Sequence, residues 1–137
     1  MGGGWLLDEV VTAQGVSTSA TKLGYSQYME RKYDGWVVRA GNTQRTEIDS
    51  VTIYRDKQIV FQSRMAQRVR VDVEGQYVVY QLTNGQYYKV HLIFVEGIDD
   101  GTGNDKLWVS ELVNSPAEIN AAATYRYTRT NMGKRPW

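Results

Sequence analysis

A chain of 137 residues with a formal charge of +1 is long enough for one domain with its own core and too short for two ordinary ones, and it exerts no global pull on nucleic acid or anionic lipid. Apolar residues make up 42% and aromatics 12%, with ten Tyr and four Trp against two Phe; this excludes a disordered chain and favours half-buried or interfacial positions, because Tyr and Trp join an apolar body to a polar tip. The lack of Cys excludes disulfides, thiolate zinc sites and a thiol nucleophile.

In chain order, "MGGG" reads as a flexible start to a single domain spanning 1–137. It has no basic segment followed by an apolar stretch, and no apolar run approaches about 18 residues. The expectation is therefore a soluble chain without a signal peptide or membrane span, with no compartment assigned. Gly2 fits a myristoylation start, but Leu6 stands where Ser or Thr is required. "WLLDEVVTAQ" (5–14) has helical spacing, while Val10-Val11-Thr12 suits a strand equally, so helix and strand both stay open. "GVSTSAT" (15–21) reads as a small polar loop. "YSQYMERKY" and "WVVRA" flank Asp34-Gly35, a hairpin signal. "TEIDSVTIYR" and "IVFQSR" flank Asp56-Lys57-Gln58, a further hairpin without the Gly that would set its turn type.

A three-stranded meander follows, "QRVRVDV", "QYVVYQLT" and "QYYKVHLIFVE", turning at Glu74-Gly75 and Asn84-Gly85. After the loop "GIDDGTGNDK" comes the strand "LWVSELV". Ser115-Pro116-Ala117-Glu118 joins an N-cap Ser, a Pro at N1 and a Glu at N3, a capping box that starts a short helix over 116–123. "TYRYTRT" returns to strand alternation, and residues 131–137 form a basic tail. No internal repeat is present. About eight short strands with turns between them predict an all-β, mainly antiparallel fold, a sandwich or an open or closed barrel.

The meander sets the candidate surface. A two-residue loop at Asn84-Gly85 puts Val79 opposite Val90 and Tyr77 opposite Leu92. A three-residue loop at Val73-Glu74-Gly75 then gathers Val69, Val71, Tyr77, Val79, Tyr88, Val90, Leu92 and Phe94 on one core face. The other face holds Arg68, Arg70, Asp72, Val78, Tyr80, Leu82, Tyr87, Lys89, His91 and Ile93, more apolar surface than monomers leave open. Its cover is the chain itself, a protein partner or second copy, or nucleic acid stacked on Tyr rings with Arg and Lys at the phosphates.

Catalytic patterns are missing. His91 is the sole histidine, and neither G-x-S-x-G nor Walker A nor a dinucleotide fingerprint occurs. Nothing pairs Glu47, Asp49, Glu96 or Glu111 across a cleft. "DDGTGND" offers oxygen donors at Asp99, Asp100, Asn104 and Asp105 but not EF-hand spacing, and turn geometry accounts for such loops. No enzyme, cofactor or metal is expected. The expected function is a non-catalytic interaction subunit of a larger assembly, such as a virion. Its partner is a protein or a second copy, bound through Arg68, Arg70, Tyr80, Leu82, Tyr87, Lys89 and His91. Arg126, Arg129, Lys134, Arg135 and Trp137 form a second anchor. One alternative is a single-stranded nucleic-acid module using Tyr80, Tyr87 and the tail.

Another follows from Gly3-Gly4-Trp5 and the late Arg126, which resemble the Gly-x-Trp and basic residue of lipocalin-like barrels. The family's Thr-Asp-Tyr turn is absent. The resemblance implies a barrel base closed by Trp5 beneath Arg126, and a cavity carrying a small apolar ligand.

Overall fold

Strands with one apolar face can hide it without a second layer when the sheet curls on itself. The computed structural model describes residues 3–33, 36–39, 42–45, 49–72, 77–93, 106–130 and 135–137; at 33, 36–39, 42–45, 49, 65–72 and 92–93 it describes the backbone alone. In chain order these form β1 (Gly3–Val11), β2 (Ser17–Ser19), α1 (Ala20–Leu23), β3 (Gln27–Tyr33), β4 (Trp36–Arg39), β5 (Asn42–Arg45), β6 (Asp49–Arg55), β7 (Gln58–Asp72), β8 (Tyr77–Leu82), β9 (Tyr87–Ile93), β10 (Lys106–Ser110), a 3-10 helix (Pro116–Ala121) and β11 (Thr124–Arg129). The fold is the expected all-β, antiparallel one. Its ladder runs β11-β10-β9-β8-β7-β6-β3-β1, and β1 pairs back to β11, so the neighbours of eight strands run right round a ring. β2 adds to the end of β1, and β4 and β5 pair as a separate two-stranded sheet. Among the described residues no helix is long and apolar enough to cross a membrane.

Several local expectations are corrected. The choice left open at 5–14 resolves to strand as far as Val11, because Trp5 and Leu7 alternate into the core, and the strand begins at Gly3, inside the start expected to be flexible. Residues 15–21 are not simply loop: they supply β2 and open α1, where Ser19 Oγ accepts the Lys22 N–H at 3.4 Å. "YSQYMERKY" and "WVVRA" do not pair, since β3 lies between β1 and β6; Asp34-Gly35 is outside the described residues, as is the Val73-Glu74-Gly75 turn. "IVFQSR" and "QRVRVDV" merge into the single strand β7. It pairs with β6 over its first half and β8 over its second, with irregularities between Met65 and Gln67 and between Arg68 and Arg70. Bulges bend a strand, which lets one long strand follow a barrel wall.

The helix is a 3-10 turn ending at Ala121. Its Glu118 carboxylate accepts the N–H groups of Asn114 at 2.7 Å and Ser115 at 3.2 Å, as the capping pattern requires. Extended backbone at Ala122 ends it early, and the next N–H, of Ala123, goes to Glu111 Oε2 at 3.0 Å.

The β6–β7 hairpin closes through Asp56-Lys57, both at positive φ (50° and 71°), with Arg55 paired to Gln58. This is the primed turn that matches strand twist, built without glycine. A side chain in the left-handed region costs about 1–2 kcal/mol, offset in part by the chain entropy that a glycine loses on folding. Lys57→Gly is therefore expected to stabilise the protein by about 0.5–1 kcal/mol, read as a higher urea midpoint; an unchanged or lower midpoint refutes this account of the turn.

The β8–β9 turn corrects the register of the meander. Leu82 N–H bonds Gln86 O at 2.8 Å and Gly85 N–H bonds Leu82 O at 3.0 Å. Only Gly85 of the turn residues has positive φ, at 90°. A primed two-residue turn needs two such residues, so the loop is the three-residue Thr83-Asn84-Gly85 with its glycine left-handed. Tyr80 now pairs with Tyr88 and Val78 with Val90. The one-residue shift moves Tyr80 and Leu82 to the face of Tyr88 and Val90, where all four are buried in a core with Trp5, Leu7, Met29, Val51, Leu107, Val109 and Tyr127. The second face is then the mixed set Tyr77, Val79, Gln81, Tyr87, Lys89 and His91, less apolar than expected, with Val79 buried.

Candidate ligand cavity

An eight-stranded barrel has room inside for side chains or for one small ligand, and the two ends of this one differ. At the first end Trp5 is fully buried, paired across the ladders with Met29 and with Arg129. The Arg129 guanidinium lies 4.4 Å from the centre of the indole ring. Arg31, 1% exposed, reaches Tyr88 Oη at 3.5 Å and lies 5.8 Å from the Tyr80 ring centre. Aromatic faces thus stand in for water around two interior cations.

The other end is hollow. A cavity of about 490 Å³ is lined by Met29, Val51, Ile53, Phe61, Val109 and Leu112, and by the polar side chains of Gln27, Arg55, Glu111, Tyr125 and Tyr127. Period-two alternation places them. Arg31, Met29 and Gln27 follow one another along the inner face of β3, paired with Val51, Ile53 and Arg55 of β6. The inner face thus ends in a polar pair. Gln27 is 1% exposed; its Oε1 accepts Arg55 Nε at 3.3 Å and Nη2 at 2.9 Å, and its Nε2 donates to Tyr127 Oη at 2.7 Å. The Arg55 guanidinium also stacks 4.0 Å from the Tyr25 ring centre. Burial pushes the Tyr127 pKa far above that of a free phenol, against the opposing Gln27 hydrogen bond. Burial likewise raises that of Tyr125, helped by Tyr25 and Glu111 and opposed by Arg55. Both hydroxyls keep their protons at neutral pH.

The candidate residues separate into inside and outside. Tyr80 (7% exposed) and Leu82 (1%) are interior, which corrects the face they were expected to share with Tyr87, Lys89 and His91. The nucleic-acid reading needs Tyr80 and Tyr87 side by side, and they lie on opposite faces. Arg68 pairs with Tyr80 and Arg70 with Val79 in the ladder. Arg126 and Arg129 are three positions apart, so a strand sends them to opposite faces. The resemblance assigned Arg126 to the Trp5 ring; Arg129 takes that place. Arg126 is outside, 3.9 Å from the Trp108 ring centre and 2.9 Å from Glu9. Arg135 and Trp137 lie on the outer face of β3 and β6: Arg135 donates to Tyr54 Oη at 2.9 Å and meets Glu30, and Trp137 packs edge-on to Tyr28 and Tyr54. Lys134 and the acidic stretch 99–105 are outside the described residues.

Outside the barrel, Tyr77, His91, Trp108, Arg126 and Glu9 form one row across five paired strands. Lys89 lies 5.1 Å from the Tyr77 ring centre, and His91 meets Trp108 edge-on at 5.9 Å. Burial and the Lys89 ammonium both hold the His91 pKa below its ordinary 6.5. A depressed folded-state pKa means the charged imidazole is disfavoured in the fold. The stabilisation is whole above 6.5 and is lost as pH falls through the folded value. Urea midpoints should drop on acidification through that window, and His91→Asn should remove that part of the slope; a slope unchanged in the variant refutes the assignment.

Gln27, Arg31 and Arg55 escaped the sequence reading. The available signal was parity: each shares its strand face with an apolar residue, Met29 for the first two and Ile53 for the third. Together these features define an antiparallel eight-stranded barrel with one plugged and one hollow end. No family model matches the chain, and neither does any curated protein or solved structure.

Proposed function

We propose that the protein binds one small, largely apolar molecule in the hollow end of its barrel. The observation that carries this reading is the cavity of about 490 Å³ inside the ring of strands, within the size range of small-molecule sites and with the usual mixture of apolar walls and a few convergent polar groups. The test is titration with Nile red, an uncharged environment-sensitive dye. Saturable 1:1 binding is expected, with Ile53→Trp, which fills the cavity, weakening it at least tenfold while circular dichroism stays unchanged. Absent binding, or binding indifferent to a folded Ile53→Trp variant, overturns the proposal.

A second reading, a non-catalytic subunit of a larger assembly, is favoured by the outer row of Tyr77, His91, Trp108 and Arg126, since aromatic and Arg side chains are enriched at interface cores. Light scattering after size exclusion, over a concentration series, tests it. A defined oligomer that Trp108→Ala dissociates supports the assembly role, and a monomer at every concentration removes it.

A further inference from the structure

We infer that the cavity selects a ligand whose apolar body ends in a carboxylate, seated against Arg55 and Tyr127. This deepens the small-ligand reading and rests on it. The direction of the hydrogen-bond chain in the wall carries the inference. Gln27 takes two N–H groups of Arg55 on one end of its amide; guanidinium is a donor only, so that end must be the oxygen and the other end the NH₂. Gln27 Nε2 therefore donates to Tyr127 Oη, and Tyr127, which is neutral, keeps its own O–H proton to donate. The chain leaves the O–H of Tyr127 and the remaining N–H groups of Arg55 as donors for whatever enters.

The charge balance points the same way. Among the described residues no carboxylate lies within ion-pair reach of Arg55; its partners are a neutral amide and the Tyr25 ring. A half-buried cation on an apolar wall is compensated when an anion joins it. Glu111, the acidic residue in the same lining, follows β10, four strands round the ring of eight from β6, and its Oε2 is held by the Ala123 N–H. A carboxylate is thereby directed to the Arg55 side. Arg55 presents its remaining N–H groups as a planar fork, which suits the two oxygens of a carboxylate.

The experiment compares a dansyl-labelled undecanoic acid with its methyl ester, which differ in the charge of the head and share the body. The acid is expected to bind about tenfold tighter than the ester, the ratio corresponding to one charge-assisted hydrogen-bonded contact. Arg55→Met should bring the ratio to about one by weakening the acid alone. Tyr127→Phe, which removes one oxygen from a buried ring, should weaken the acid several-fold, leave the ester unchanged, and serve if Arg55→Met misfolds. Equal affinity of acid and ester in the wild type overturns the carboxylate inference and leaves the cavity reading standing. A preference that survives both substitutions overturns the residue assignment. If neither probe binds, the cavity reading and this inference fall together.

Discussion

Trp5→Ala is expected to lower the unfolding free energy by about 3–5 kcal/mol, the range for truncating a large buried aromatic. Three features put it at the upper end. The side chain is fully buried; its neighbours sit on a closed ring and cannot collapse into the space; and the Arg129 guanidinium, 4.4 Å from the ring centre, loses the face it rests on. Trp5→Phe separates these contributions. It keeps an aromatic face beneath Arg129 and removes the indole N–H, which has no hydrogen-bond partner among the described residues and so carries a desolvation cost. Phe should therefore cost less than half of what Ala costs, in urea denaturation monitored by tyrosine emission. Equal losses for both variants contradict the cation–ring account of this end of the barrel.

Gly4→Ala should be nearly as damaging, for the opposite reason. A Cβ at position 4 would fall 2.0 Å from Tyr28 Oη, 2.7 Å from Tyr28 Cζ and 2.8 Å from Thr130 Oγ1. The obstacle is a ring, not the loose end of a flexible side chain: Tyr28 is 1% exposed and held between Tyr54 and Trp137. Gly4 is pinned in turn, since its carbonyl accepts both N–H and Oγ1–H of Thr130, at 2.9 and 3.2 Å. Overpacking costs typically 1–3 kcal/mol, and about 3 kcal/mol is expected where neither side can give way. Introduced into a Tyr28→Ala background the same change should cost less than half as much. A cost independent of Tyr28 refutes the steric explanation.

The strand content of this barrel and the positions of its β6–β7 and β8–β9 turns are legible in the sequence because they rest on local chemistry. Period-two alternation, Asn-Gly and the Ser115 to Glu118 pattern each act within a few residues. Register is different. Asn84-Gly85 is compatible with a two-residue loop or with the end of a three-residue one, and choosing wrongly sends Tyr80 and Leu82 out of the core, from which an unpaired apolar face follows. Closure of the ring lies further still from local signals, because Trp5 and Arg129 become neighbours only when β1 meets β11. The Gly-x-Trp resemblance pointed to this arrangement and named Arg126, one odd step from the residue that fills it. Gln27 and Arg55 were hidden by a sound expectation, that polar residues face water; here they face a cavity.

The β1–β11 seam also has a kinetic meaning. It joins groups as far apart in the chain as Glu9 and Arg126, 117 positions, so its ladder gains nothing until nearly the whole barrel is in place, and such distant pairings slow folding. The entropy of closing so long a loop grows only slowly with length, which makes the delay a matter of waiting and not of a weak final state. During that wait β1 and β11 each carry an unpaired edge, and either edge of one molecule is a template for the opposite edge of another. The contact that pairs the free edges of β1 and β11 is thus the one whose lateness sets how long the chain is open to exchange strands with its neighbours.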